Sequence, residues 1–186
     1  ATDITINDSV IVTGARTLTS GGGLNQGISI TGVINGTAPA TDSLTLIAGI
    51  ANVTLDSSVG TTTSLKALTI TSSGVTTLNN SIITTGGNIN LSGATNVQLA
   101  SDVSLRSTDQ SVILNVINGA FDLTVGAGVD ITVGAAIGGT TPLHDISMTA
   151  GGGDVNVSGA ITSTGAVNLT SGRAAGQDIN LAAEVH

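Results

Sequence analysis

The chain has 186 residues, a formal net charge of −8, 26 Gly, 2 Pro, one Phe, one Met, and no Cys, Trp or Tyr. Without cysteine there is no disulfide framework, thiolate metal centre or thiol redox chemistry, and four Lys and Arg against twelve Asp and Glu leave no basic patch for nucleic acid or an anionic membrane. Apolar residues form 40% of the chain, too many for a disordered segment, yet no apolar run approaches the roughly 20 residues that span a bilayer.

A core must therefore be built from Val, Ile, Leu and Ala, under a surface of Thr, Ser, Asn and Gly. From the first residues onward one phrase recurs, polar–aliphatic–polar–aliphatic. It stands at Asp3-Ile4-Thr5-Ile6, Gly27-Ile28-Ser29-Ile30, Ser43-Leu44-Thr45-Leu46, Asn52-Val53-Thr54-Leu55, Ala67-Leu68-Thr69-Ile70 and Asn88-Ile89-Asn90-Leu91. It continues at Asn96-Val97, Asp102-Val103, Asp122-Leu123, Asp130-Ile131, Asp145-Ile146, Asp154-Val155, Ala166-Val167 and Asp178-Ile179. Alternation of period two puts both aliphatic residues of each phrase on one face, and β-branched side chains favour that extended backbone. Gly-Gly, Asn-Gly and Asp-led turns punctuate the copies, as at Gly21-Gly22-Gly23, Asn35-Gly36, Gly86-Gly87, Asn118-Gly119, Gly138-Gly139 and Gly151-Gly152-Gly153. No segment carries a 3.6-residue period, so the fold class is all-β.

Spacing separates a sandwich of hairpins from a solenoid. Ile131, Val155 and Ile179 follow at 24 and 24 residues, Leu123, Ile146 and Val167 at 23 and 21, Ile4, Ile28 and Val53 at 24 and 25, and Leu44, Leu68 and Ile89 at 24 and 21. These columns predict a right-handed parallel β-helix of about eight coils, each of 21–25 residues with two or three short strands. Between residues 97 and 113 the register is ambiguous, because Val97 and Val103 compete for one column.

The whole of 1–186 reads as a single β-solenoid segment without evident caps. Residues 1–12 already read as strand, and only Ala182 to His186 follow the last phrase. Solenoid ends normally carry caps, so these coils are expected to continue into neighbouring coils of the same polypeptide or to stack end to end with identical subunits. The chain begins at Ala1 without Met or a signal peptide, as a mature form or a piece of something longer would.

The phrases Leu68-Thr69-Ile70-Thr71-Ser72-Ser73-Gly74, Thr85-Gly86-Gly87-Asn88-Ile89-Asn90-Leu91 and Gly153-Asp154-Val155-Asn156-Val157-Ser158-Gly159-Ala160-Ile161 resemble the repeats of filamentous-haemagglutinin-type bacterial exoproteins and adhesins. The resemblance spans nearly the whole chain. It implies a parallel β-helical shaft, export across the outer membrane by a two-partner or related pathway, and a part in surface attachment. The amino-terminal secretion domain of that family has no counterpart here, so the match is to shaft repeats.

Residues of chemical interest are few. Gly126-Ala127-Gly128-Val129-Asp130 is similar to part of a calcium-binding nonapeptide, but the following Ile-Thr-Val is out of phase, and a turn leading into a strand is the reading taken for it and for Gly151-Gly152-Gly153-Asp154. Glycoside cleavage needs two carboxyl groups flanking one bond, whereas the Asp residues here start strands and none are adjacent. His144-Asp145 reads as a surface loop after Pro142, and with His186 at the far end neither a catalytic dyad nor a metal site is supported. Thr17-Leu18-Thr19 and Thr69-Ile70-Thr71 would suggest an ice-binding face only if repeated on one side of successive coils, which the spacing does not predict. Asn-x-Ser/Thr triplets at Asn7, Asn35, Asn52, Asn79, Asn90, Asn156 and Asn168 follow from composition.

The expectation is thus a non-catalytic structural shaft of a secreted or cell-surface bacterial adhesin, with no catalytic, cofactor or metal residues, no nucleic-acid partner and no membrane insertion. A subunit polymerising into an extracellular filament or sheath is the alternative. A β-helix polysaccharide lyase or hydrolase relying on Asp122, Asp130 and Asp154 is the second.

Overall fold

In the computed structural model, which describes residues 2–172 and 176–186, every regular element is a β-strand and every strand pairing is parallel. Arg173, one of the four cations, lies outside the described residues. The chain winds as a β-solenoid of about eight coils, each presenting three strand positions in turn. At about 4.8 Å per coil this is a rod of roughly 38 Å.

The first face carries Ile4–Ile6, Ile28–Ile30 and Val53–Leu55, and then the closing residues of the long strands Ala67–Leu78 and Ile89–Leu99. It continues through Ile117–Asn118 and single bridges at Ile137, Ile161 and Val185. The second face stacks Val10–Val12, Ile34–Gly36, a bridge at Val59, Ile82–Thr84, Val103–Ser107, Leu123–Ala127, Ile146–Ala150 and Val167–Thr170. The third stacks Ala15–Thr19, Ser43–Gly49, the opening residues of the two long strands, Val112–Leu114, Ile131–Val133, Val155–Val157 and Ile179–Leu181.

Alternation sends one aliphatic set inward along every face. Leu44, Leu68, Ile89, Val112, Ile131 and Val155 form one continuous buried column, and Ile82, Leu105, Val125 and Met148 another. Each layer contributes a few small aliphatic residues, and the area they remove from water at about 25 cal/mol per Å² drives the stacking without aromatic residues. Phe121 lies partly exposed instead. All four columns predicted from spacing hold: Ile4 pairs with Ile28 and Ile28 with Val53, Leu44 with Leu68 and Leu68 with Ile89, Leu123 with Ile146 and Ile146 with Val167, and Ile131 with Val155 and Val155 with Ile179.

Four expectations change. Val97 and Val103 do not compete: Val97 sits on the first face between Thr76 and Ile117, and Val103 on the second against Leu123. The coil there is short, with Asp102 and Asp122 only 20 residues apart. Coil length also exceeds the expected upper bound, since Gly14 and Asp42 meet across 28 residues. Corner loops absorb most of these differences, and register shifts in the strand pairings fall between Asn90 and Gly93, between Ala94 and Asn96, and between Ile47 and Gly49. Third, Thr17 and Thr69 do share a column, with Thr45 paired to both, so three successive coils place Thr outward on the third face. The pattern stops at Asn90, which pairs with Thr69.

Corners are made by small or specially bonded residues. In the unbroken strand Ala67–Leu78 the buried Ser72 turns the chain from third to first face, its hydroxyl donating to the Ala51 carbonyl at 2.6 Å and accepting from Gly74 N–H at 3.1 Å. Ala94 takes the equivalent place one coil on. Gly126-Ala127, expected in a turn, are instead the last residues of the strand Leu123–Ala127, and the turn follows from Gly128.

Candidate functional site

The residues weighed for chemistry converge on the two corners where strands begin. A strand-initiating Asp extends its side chain along the axis and accepts the amide N–H of the equivalent residue one coil later. On the approach to the third face, Asp130 Oδ1 accepts from Asp154 N–H at 2.9 Å, and Asp154 Oδ1 from Asp178 N–H at 2.8 Å. Earlier coils use other acceptors in the same way: Asn88 Oδ1 takes Ser111 N–H at 3.1 Å, and Ser111 Oγ takes Asp130 N–H at 3.3 Å.

Before the second face the same ladder runs through Asp102, Asp122 and Asp145, with Asp122 N–H donating to Asp102 at 3.1 Å, Asp145 N–H to Asp122 at 3.0 Å and Ala166 N–H to Asp145 at 2.7 Å. Glycine is required where a carboxylate rises from the coil beneath. A Cβ on Gly153 would stand 2.0 Å from Asp130 Oδ1, and one on Gly165 2.0 Å from Asp145 Oδ1. The Asp residues weighed as hydrolytic candidates, Asp122, Asp130 and Asp154, are therefore each engaged in holding the next coil. They are non-adjacent in sequence, but Asp130 and Asp154 are stacked one coil apart, and Asp122 belongs to the other corner.

His144 lies in the loop between the bridge at Leu143 and the strand Ile146–Ala150, exposed as expected. The structure adds a partner that sequence reasoning missed: its Nδ1 is 2.7 Å from Asp122 Oδ1, one coil back, and 3.9 Å from Asp145 Oδ1. The hydrogen bond to Asp122, with the negative charges of Asp145, Asp122 and Asp102, raises the imidazole above its ordinary value. Reciprocally, the His144 bond and the Asp145 amide hold the Asp122 carboxyl below the usual range. The missed signal was positional: Asp122 and Asp145 head paired strands, so one coil of spacing predicts their contact. At the opposite end, His186 Nε2 meets Glu184 Oε2 at 3.0 Å.

Other polar side chains work as brackets. Asn118 Oδ1 accepts from Thr140 N–H at 2.8 Å and Thr141 N–H at 3.3 Å, and Asn35 does the same for Thr62 and Thr63 at 3.2 and 3.1 Å. Buried Asp42 closes the widest corner, taking bonds from the hydroxyl and amide of Thr37, the amide of Gly14 and the hydroxyl of Thr41, which hold it far below the usual carboxylate range. The surface carries open grooves, one along Asp3, Thr5, Asn25, Ser29, Asn52 and Thr54 enclosing about 340 Å³.

Fold and site together define a parallel β-solenoid whose recurrent polar residues join coil to coil. Comparison with protein-family models, curated proteins and solved structures finds no match to this chain.

Proposed function

We propose that this chain is a non-catalytic structural shaft of a secreted or cell-surface bacterial adhesin, wound right-handed as parallel crossover connections nearly always are. The observation that carries the reading is the employment of the strand-initiating carboxylates: Asp102, Asp122, Asp130, Asp145 and Asp154 each accept a backbone amide of the following coil. A shaft uses its polar groups this way, because each coil can be added without changing the cross-section. The resemblance of Gly153-Asp154-Val155-Asn156-Val157 and its sister phrases to filamentous-haemagglutinin-type repeats supports the same reading.

Two assays on the 186-residue chain test it. Incubation with a panel of acidic polysaccharides is expected to give no turnover. Cleavage lost on replacing Asp122, Asp130 and Asp154 together would make it a lyase or hydrolase instead. Electron microscopy is expected to show short isolated rods, and long fibres of uniform width would replace the shaft by a polymerising filament subunit.

A further inference from the structure

We propose that Asp122, His144 and Asp145 form a binding site for a divalent transition-metal ion of the zinc class, joining two successive coils on the second face. One ligand atom from each residue lies within 4.8 Å of the other two. A tetrahedral zinc ion with bonds of about 2.0–2.2 Å separates its ligand atoms by about 3.4 Å, a spacing bracketed by the 2.7 and 3.9 Å that separate His144 Nδ1 from Asp122 Oδ1 and Asp145 Oδ1. One imidazole nitrogen and two carboxylates are a donor set suited to a borderline ion.

The two carboxylates are placed before any ion arrives. Asp122 is fixed by the amide of Asp145, and Asp145 by the amide of Ala166, each through Oδ1. Asp102 extends the same stack by one coil, so like charges line up along the axis. Among the described residues the ion pairs of carboxylates are made by His144 and His186 and by no Lys or Arg. The imidazole is the stack's single described counter-charge, and it is also its nitrogen ligand. All three side chains are about half exposed, leaving room for water to complete the coordination shell. Entry of the ion replaces the proton on Nδ1, which leaves to solvent, and the Asp122 bond to His144 becomes a shared metal contact.

Titration of the intact chain with Zn²⁺ alone, followed by calorimetry and by the His144 imidazole resonance, tests this. One ion per chain is expected, with affinity falling at least tenfold in His144→Ala and in Asp145→Asn. The latter keeps the Oδ1 that accepts the Ala166 amide, so the coil remains joined. His186→Ala should leave binding unchanged. Zinc bound equally well by His144→Ala would overturn the proposal, and so would binding abolished by His186→Ala, which would place the ion at the Glu184–His186 pair.

Discussion

Asp130 Oδ1 lies 2.9 Å from the amide nitrogen of Asp154, the residue that occupies its own position one coil further on. The contact is part of a ladder in which each coil fixes the start of the next, and it explains why Asp recurs ahead of Ile and Val. Asp130→Ala would leave the Asp154 amide without its acceptor, at a cost of about 1–2 kcal/mol. Asp130→Asn keeps an acceptor oxygen and should cost less than half as much. Urea denaturation of the two variants checks the difference.

Glycine placement gives a second contrast. Gly138 has φ +71°, and a Cβ there would stand 2.1 Å from the Thr162 carbonyl oxygen. Gly126 lies inside a strand with its nearest potential contact at 3.8 Å, to Arg106 Cγ. Gly138→Ala is therefore expected to lose roughly 1–3 kcal/mol, and Gly126→Ala to be neutral or slightly stabilising through the unfolded chain. Parallel thermal melts decide the point.

Thr76 interrupts an aliphatic column between Val53 and Val97, and its buried hydroxyl has no hydrogen-bond partner among the described residues. Leaving a hydroxyl so placed costs about 1–3 kcal/mol. Thr76→Val has the same shape without that penalty, and its melting temperature should rise. A fall would mean that the hydroxyl has a bound partner.

The His144–Asp122 pair makes stability depend on pH in both directions. Asp122 titrates below the ordinary carboxylate value, so its contribution is present above about pH 4 and lost as pH falls through its lowered value. His144 titrates above the ordinary imidazole value, so its contribution is present below about pH 6.5 and lost as pH rises through its raised value. The advantage of the parent over His144→Ala should peak between roughly pH 4 and 6.5 and vanish in alkali. Proton NMR of His144 should show its titration moving down in Asp122→Asn.

The columns were legible in the sequence because inward positions are aliphatic and alternate with polar ones. Ile131, Val155 and Ile179 announce a coil by spacing alone. What escaped notice depends on corner loops, whose lengths vary without a periodic signal. The 28-residue interval from Gly14 to Asp42 hid the shared column of Thr17 and Thr69, and the 20-residue interval from Asp102 to Asp122 made Val97 and Val103 look like rivals. The partnership of His144 with Asp122 escaped for a related reason: it crosses one coil and emerges only when the strands that follow are aligned. Asp42 and Asn118 gave no sign of their bracketing roles, because the Thr and Gly amides they hold belong to irregular backbone.

The extracellular shaft proposed for these coils is checked by labelling intact cells. An antibody raised against the 186-residue chain should bind the outside of unbroken cells that express the encoded protein, or material they release. Binding that appears only after lysis would place the coils inside the cell and overturn the proposal.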